Sequence, residues 1–341
     1  MTTAAEQHES RTMRFGGIAL IVIALIAGGL LSIGTGGRSD VGLEDLVALI
    51  AGSGAVDDIG VVTMRDVRLP RSAVAMLLGV NLSLAGLVLQ AVTRNPLASP
   101  TILGINQGAA LGLVVALAFP SATGLTLDAM ATAGALLAGV VTFAIAGGFQ
   151  GRIDPMRLVL GGVAVGAFSY AAVRFSYTIE DDLARSVVRW TVGDIGDMRW
   201  HDAGPLALWC LAGTVAVLLL SHRLNLMSLG DASSRGLGSD PRLTLLLGAI
   251  AAAALAGASV TVAGPIAFVG LVVPHVARAM FGSDHRVLVP ASAAIGAALM
   301  LVADGLSKWL TTPAETPIGL VAALIGAPYF LYLALFNEAL E

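Results

Sequence analysis

The chain has 341 residues, of which 56% are apolar and only 12% are charged. Soluble proteins carry roughly 25% charged residues, so this composition excludes an ordinary water-soluble fold. The formal net charge of -4 gives no general attraction to nucleic acid, and the single cysteine, Cys210, excludes an internal disulfide framework and a cysteine-based zinc site. Among the 19 basic residues, Lys308 is the only lysine.

Runs without charged residues define the predicted elements, because a helix needs about 20 mainly apolar residues to cross a bilayer. Prolines shorten one long run, and the pair Gly264-Pro265 divides another. In chain order the predicted spans are residues 15–37, 72–93, 101–119, 129–151, 157–176, 203–221, 243–262, 266–281, 287–304 and 316–337. We therefore predict an all-α integral membrane protein with about ten transmembrane helices, forming a single domain over residues 1–341.

The first run could also be a secretory signal peptide, because Arg11 and Arg14 precede its apolar core. The core is long and ends without an A-x-A cleavage site, which favours a first span. An even number of spans puts both termini on one side of the membrane. The basic residues divide almost evenly between the two sides, so the positive-inside rule does not set the orientation.

Several motifs are absent from the sequence, and their absence narrows the function. The chain has no G-x-x-x-x-G-K-[ST] phosphate loop, no H-E-x-x-H motif and no G-x-S-x-G nucleophile elbow. We predict no catalytic residues and, since the five histidines are scattered, no metal site. The interiors of the predicted spans lack Asp and Glu, which proton-coupled carriers usually keep there. These absences favour a transport protein that is passive or driven from outside.

Four motifs carry the richest local signal. They are R-L-P-R at 68–71, R-N-P-L-A-S-P at 94–100, L-G-I-N-Q-G at 103–108 and G-P-I-A-F-V-G-L-V-V-P-H at 264–275. Together they resemble the FecCD-type permeases, the membrane subunits of bacterial ABC importers for iron-siderophores, haem and vitamin B12. The resemblance covers about residues 68–330 and implies the type II ABC importer permease architecture.

The resemblance implies that the chain lies in the bacterial cytoplasmic (inner) membrane with both termini cytoplasmic. Arg68 and Arg71 then lie at the outer mouth. In the family these two positions, and one matched here by Lys308, receive acidic residues of a substrate-binding protein; such paired charges set orientation and on-rate. The alternative is that the two arginines anchor a helix end by snorkelling. Lys308 replaces the more usual arginine, which removes bidentate pairing with a carboxylate.

The segment 222–242 resembles the cytoplasmic coupling loop of the family, which fits a groove in the ATP-binding subunit. The residues expected to contact that subunit are Leu229, Gly230, Asp231, Ala232, Arg235, Gly236, Leu237 and Gly238. Gly236 and Gly238 are expected to permit a sharp turn between two short helices. The alternative is an ordinary polar loop, since Gly, Ser and Asp are common in loops.

Polar side chains and helix breakers in or near the spans are candidates for the translocation path or gate. They are Gln90, Asn95, Pro96, Asn106, Gln107, Gly264 and Pro265. Broken helix at membrane depth is tolerated where the freed backbone is buried in protein or lines a watery cavity. For the glycines, helix packing is the favoured interpretation. His275 is expected to be a hydrogen-bonded structural group near the inner face, and not an iron ligand.

The function implied by the resemblance is the permease subunit of an ABC importer that translocates a ferric siderophore delivered by a substrate-binding protein. Haem or cobalamin is the alternative cargo, and a secondary transporter is the alternative of another class. The implied partners are two ATP-binding subunits, an extracytoplasmic substrate-binding protein, a second copy or a similar permease, and membrane lipid, with no nucleic acid. The chain itself is expected to bind no cofactor and to be no enzyme, since ATP and Mg²⁺ bind the partner subunits.

Overall fold

The structure is a computed structural model that describes residues 4–37, 40–53, 58–101, 103–119, 126–148, 154–176, 178, 190–312 and 314–336. Within these residues the chain forms helices and no strand. The predicted ends of the fourth and tenth spans, at Gly151 and Asn337, lie outside the described residues.

Thirteen helices follow one another along the described residues. Their bounds are α1 Ala4–Gly34, α2 Leu43–Ala51, α3 Ile59–Thr63, α4 Leu69–Thr93, α5 Ile105–Ala118, α6 Leu127–Ile145, α7 Pro155–Ser176, α8 Trp200–Met227, α9 Asp231–Gly236, α10 Pro241–Ala263, α11 Val269–Phe281, α12 His285–Trp309 and α13 Ile318–Phe336. A π-helical turn, Met64–Arg68, joins α3 to α4.

A helix lies at each of the ten predicted spans. Among the described residues, six helical stretches are long and apolar enough to cross a membrane by length and composition. They are Phe15–Gly34, Ile59–Thr93, Met156–Ser176, Trp200–Met227, Pro241–Ala263 and His285–Trp309. The other four positions hold shorter apolar helices, namely Ile105–Ala118, Ala129–Ile145, Val269–Phe281 and Ile318–Tyr332.

The centre of the fold is α4, which is buried along most of its length and packs against α8, α10, α11 and α12. Glycines allow its backbone to touch two of these neighbours directly. A Cβ atom on Gly79 would lie 2.1 Å from the carbonyl oxygen of Gly296 in α12, and one on Gly86 would lie 1.8 Å from that of Gly270 in α11. Small residues at such crossings replace side-chain packing by backbone contact, as is common between membrane helices.

The outward faces of the peripheral helices carry large apolar side chains. Phe168 on α7 is 72% exposed, and Leu208 and Leu219 on α8 are 71% and 77% exposed. Many such residues on one surface are unfavourable in water, whereas lipid tails are as apolar as these side chains. The surface therefore agrees with the membrane environment that the composition indicates.

The start of the second span differs from the predicted position. The helix begins at Leu69, three residues before Ser72, because Pro70 is tolerated in a first turn. The preceding α3 and π-helical turn continue into it, so Arg68 lies within helical chain. The short helices α2, α3 and α9 lie outside the predicted spans.

The break at Gly264-Pro265 is confirmed, since α10 ends at Ala263 and α11 begins at Val269. Gly264 has φ +70°, and a Cβ atom there would lie 2.2 Å from the carbonyl oxygen of Trp190. Both the backbone conformation and the lack of space therefore require glycine at this position.

Candidate functional site

Four charged side chains meet where α4 begins and α12 ends, and we call Arg71, Asp304, Lys308 and Glu315 the charge cluster. Asp304 is its centre and its side chain has no exposed surface. One carboxylate oxygen accepts from Nε of Arg71 at 2.7 Å, and the other accepts from Nζ of Lys308 at 2.5 Å and from the hydroxyl of Ser32 at 2.6 Å. We call this end of the bundle outer, after the predicted orientation, and the opposite end inner.

The remaining contacts of the cluster differ in exposure. Nη1 of Arg71 donates to Oε2 of Glu315, whose side chain is 35% exposed. Nζ of Lys308 also donates to the backbone carbonyl of Ser32 at 2.7 Å. Since the side chains of Arg71 and Lys308 are only 4% and 2% exposed, solvent reaches the cluster mainly at Glu315.

Arg68 lies beside the cluster but has a different role in the fold. Its Nη1 donates to the backbone carbonyls of Ile33 and Gly34, at 3.0 and 3.3 Å, where α1 ends. An arginine at these carbonyls supplies donors that the end of a helix lacks. A Cβ atom on Gly36 would lie 2.8 Å from the guanidinium, so the chain leaving α1 also closes over Arg68.

The docking role of Arg68, Arg71 and Lys308 stays a prediction. The structure adds a condition, because all three side chains are buried and already have partners. Their residues are 4%, 3% and 2% exposed, so none of the three presents its charge freely to solvent. The guanidinium of Arg71 is already engaged by the carboxylates of Asp304 and Glu315. A carboxylate of another protein can therefore reach these cations only after an existing contact opens.

Sequence reasoning missed the two acidic members of the cluster. The predicted ninth span, residues 287–304, ends at Asp304, whereas this residue lies inside α12 and is fully buried. The four-residue spacing between Asp304 and Lys308 could have indicated an ion pair on one helix face. No local pattern indicates that Arg71, 233 positions away from Asp304, completes the group.

The inner end of the bundle presents the predicted coupling residues. After α8 ends, Gly230 adopts φ +93° and α9 begins at Asp231. Gly238 adopts φ +79° after α9, so a turn lies where it was predicted, but it joins α9 to the long α10 and not to a second short helix. Gly236 instead ends the helix without a positive φ, so the turn role predicted for it is wrong.

The side chains around α9 form an exposed surface with a polar attachment to the core. Leu229 and Leu237 are 57% and 61% exposed, and Ala232 and Arg235 are also exposed. An ion pair joins Asp231 to Arg94, the residue that follows α4 in a left-handed conformation. Arg94 also donates to the carbonyl of Met227, at 3.1 Å, so α9 is held directly against the inner end of the central helix.

A second contact at the inner end joins α8 to α12. The carboxylate of Asp284 caps α12 by accepting from the backbone N–H of Arg286, and it also accepts from the side-chain amide of Asn225 at 2.6 Å. These bonds, the backbone N–H first, lower the pKa of the Asp284 carboxyl below its ordinary value. Asn225 in turn accepts from the backbone N–H of His285, so the bond network fixes the start of α12.

Gln90 lies buried between α4 and α11. Its amide nitrogen donates to the carbonyls of Gly270 and Leu271, at 3.3 and 3.2 Å, and its amide oxygen accepts from Arg278. The structure thus places this path candidate in a helix contact, with 4% of the residue exposed. A role in the translocation path stays a prediction.

Asn106 and Gln107 lie in the first turn of α5. The amide nitrogen of Asn106 donates to Thr101 at 3.3 Å, whereas the amide oxygens of Asn106 and Gln107 have no partner among the described residues. Gln107 and Thr101 line a cavity of 270 Å³ next to Tyr170 on α7. Of the path candidates, Gln107 is the one whose residue lines this cavity.

The two pairs of helix breakers lie at opposite ends of the bundle. Asn95 and Pro96 follow α4 at the inner end, where the side chain of Asn95 accepts from the backbone N–H of Leu97 at 2.9 Å and forms a turn. Gly264 and Pro265 lie beside Trp190 in the connection between α10 and α11. Each pair has a local structural role, and a role in gating remains a prediction.

His275 faces Tyr329 of α13, with ring centroids 6.4 Å apart in an edge-to-face arrangement. Within the part of the chain that the structure describes, no three His, Cys, Asp or Glu side chains are grouped as metal ligands would be. The contact with Tyr329 instead joins α11 to α13 at the inner half of the bundle.

The sequence matches the model of the FecCD transport family over residues 21–336. The Fe(3+)-citrate import system permease protein YfmD of Bacillus subtilis is 37% identical over 97% of each chain. The Fe(3+) dicitrate transport system permease protein FecC of Escherichia coli is 40% identical over 79% of this chain and 82% of its own. The hemin transport system permease protein HmuU of Yersinia pestis is 38% identical over the same shares.

The fold of the chain is also similar to that of a solved transporter structure. A metal-chelate type ABC transporter in an inward-facing conformation aligns with a TM-score of 0.78 and 28% identity, covering 95% of this chain and 99% of that one. The all-α architecture and the order of its helices thus have a counterpart in a transporter of this type.

Proposed function

The chain belongs to the FecCD transport family and is the permease subunit of an ABC importer, and we propose that its cargo is a ferric siderophore. Two of the relatives described above are named for iron-citrate import, which makes ferric citrate the first cargo to test. As a permease subunit the chain works with an ATPase and a substrate-binding protein. Hydrolysis of ATP belongs to the ATPase, and this chain supplies the path through the membrane.

The structural observation that supports a permease with a partner on each side is the placement of two candidate contact surfaces at opposite ends of the central helix. The charge cluster lies where α4 begins, and the exposed leucines around α9 lie where it ends. A helix of 25 residues is about 37 Å long, which is enough to separate these surfaces by a bilayer. A protein that engages one partner on each side of the membrane needs this separation.

We further propose the arrangement of the complex. Two copies of this chain, or this chain and a similar permease, pair in the bacterial cytoplasmic membrane with their termini in the cytoplasm. Two ATP-binding subunits contact the α9 surface, and the binding protein docks at the outer end through Arg71. The exposed Leu229 and Leu237 support the first contact, because apolar anchors with a nearby arginine are typical of interface centres.

The cargo is tested by competition in cells with and without this chain. Uptake of radioactive iron supplied as ferric citrate should require the chain and fall when an unlabelled ferric siderophore is added. Haem and cobalamin should not compete. If haem competes and ferric siderophores do not, the cargo is haem, which the similarity to the hemin permease makes the main alternative; competition by cobalamin alone would identify a vitamin importer.

A further inference from the structure

The side chain of Glu315 differs from the other members of the charge cluster in one respect. It is 35% exposed, whereas those of Arg71, Asp304 and Lys308 are between 0% and 4% exposed. It lies in the connection between α12 and α13, where the backbone N–H of Thr316 donates to the carbonyl of Ser307 at 3.0 Å. Glu315 is therefore the one cluster carboxylate that water can reach where it stands.

The charges of the cluster explain why the carboxylate of Glu315 can leave Arg71 only if another carboxylate takes its place. Two cations and two carboxylates make the group neutral. If Glu315 leaves, its own charge returns to water, but Arg71 remains buried with only one of its two carboxylate partners. A buried charge without its partner is strongly unfavourable, so a second carboxylate that arrives from outside would restore the balance.

Asp304 and Lys308 cannot take part in such an exchange. Asp304 accepts from Arg71, Lys308 and Ser32, and removing it would leave two buried cations. Lys308 is held between Asp304 and the carbonyl of Ser32. Its position explains the lysine itself: a single ammonium group is enough to pair with one carboxylate oxygen and one carbonyl at the end of α1.

We propose that Glu315 occupies the place of an acidic side chain of the substrate-binding protein, and that docking exchanges one carboxylate for the other on Arg71. This inference rests on the proposed function, since it requires that a binding protein docks at this end. It narrows the predicted docking residues to Arg71 and assigns Lys308 to the fixed part of the cluster. The incoming side chain is an aspartate or glutamate, because only a carboxylate restores neutrality.

The exchange also gives docking a consequence inside the permease. The connection that holds Glu315 leads directly into α13, whose Gly319 N–H donates to the carbonyl of Gly193 at 3.0 Å. Farther along, α13 contacts His275 of α11 through Tyr329. Release of Glu315 therefore frees the chain immediately before a helix that reaches the inner half of the bundle.

The test measures binding of the substrate-binding protein to the purified permease–ATPase complex in lipid nanodiscs. Glu315→Gln removes the internal competitor, so binding should tighten about tenfold, which corresponds to the 1.4 kcal/mol of one modest charge contact. Glu44→Gln is the matched control, because it removes one exposed negative charge of the outer segment without touching the cluster. Its affinity should stay within about twofold of the unmodified complex.

Each outcome decides the matter. Unchanged or weaker binding by Glu315→Gln, in a complex that assembles normally, overturns the exchange. Glu315→Asp keeps the charge but shortens the side chain, so its affinity for the binding protein should lie between those of the unmodified complex and Glu315→Gln. If both variants fail to assemble with the ATPase, Glu315 is a fixed part of the fold and the proposed exchange is wrong. Arg71→Gln distinguishes failure of the exchange from failure of docking at Arg71. If the binding protein docks normally to this variant, docking does not use Arg71 at all.

Discussion

The side-chain amide of Gln90 donates to the carbonyl of Gly270 across the contact between α4 and α11. Pro274 lies four residues after Gly270 inside α11 and has no N–H, so this carbonyl has lost its helical donor. Gln90 supplies the missing donor, and Arg278 fixes the orientation of the amide by donating to its oxygen. A proline within a membrane helix is thus accommodated by a side chain of the central helix.

Replacement of Gln90 by leucine should destabilise the protein. The change leaves the carbonyl of Gly270 and the guanidinium of Arg278 without this partner, which costs about 1–3 kcal/mol. Thermal unfolding in detergent should show a lower midpoint. Gln107→Leu is the matched control, because its amide oxygen has no partner among the described residues, and its midpoint should change less. Equal midpoints for the two variants would contradict this role of Gln90.

Replacement of Asp304 by asparagine should destabilise the protein by about 3–5 kcal/mol, because it leaves the buried Arg71 and Lys308 with too little negative charge. The second change Lys308→Met removes the excess cation, so the double variant should be more stable than Asp304→Asn alone. Thermal unfolding of the two variants and of Lys308→Met makes this comparison. A double variant whose loss equals the sum of the single losses would mean that the charges do not interact.

The surface around α9 should bind the ATPase through its apolar residues. Leu237→Glu places a charge where Leu237 is 61% exposed, and we expect assembly with the ATP-binding subunit to weaken about tenfold or more. Leu310→Glu is the matched control at the outer end, where Leu310 is 52% exposed. Co-purification of the two subunits at increasing salt measures the effect. If only Leu310→Glu weakened assembly, the ATPase would bind at the outer end, which contradicts binding at the α9 surface.

The proposed orientation can be read with cysteine labelling, because the one native cysteine, Cys210, is buried. In a Cys210→Ser background, Ala314→Cys should react with a membrane-impermeant maleimide in intact spheroplasts. Ser233→Cys on α9 should react only after the membrane is opened, since both positions are exposed but lie at opposite ends. If Ser233→Cys reacted in intact spheroplasts and Ala314→Cys only after opening, the chain would have the opposite orientation in the membrane. Both partner surfaces would then be assigned to the wrong sides.

Sequence patterns predicted the helices well, because the distance between charged residues reflects the thickness of the bilayer. The ends were less certain: the helix at the R-L-P-R motif begins at Leu69 because proline is compatible with a first turn, and no charge pattern reveals this. Gly264-Pro265 was identified as a break, since both residues oppose regular helix. The short α9 was expected only from resemblance to a family.

The candidate site was harder to predict, because its contacts join distant parts of the chain. Arg71 and Lys308 were singled out as cations, but their burial depends on Asp304 and Glu315, and the pairing of Arg71 crosses more than 200 positions. Gln90 was chosen as a polar residue in a span, which suits a path and a helix contact equally. Only the position of Pro274 relative to Gly270 shows why an amide is needed there.

The most direct test of ATP-driven iron import by this permease is uptake of radioactive ferric citrate into proteoliposomes that contain this chain, its ATP-binding subunit and its binding protein. We expect uptake that requires all three proteins and ATP, and that stops when the ATP-binding subunit carries a substitution of its Walker-A lysine. Uptake that persists with that inactive subunit and follows a proton gradient, or hydrolysis of ATP by this chain alone, would contradict an ATP-driven permease.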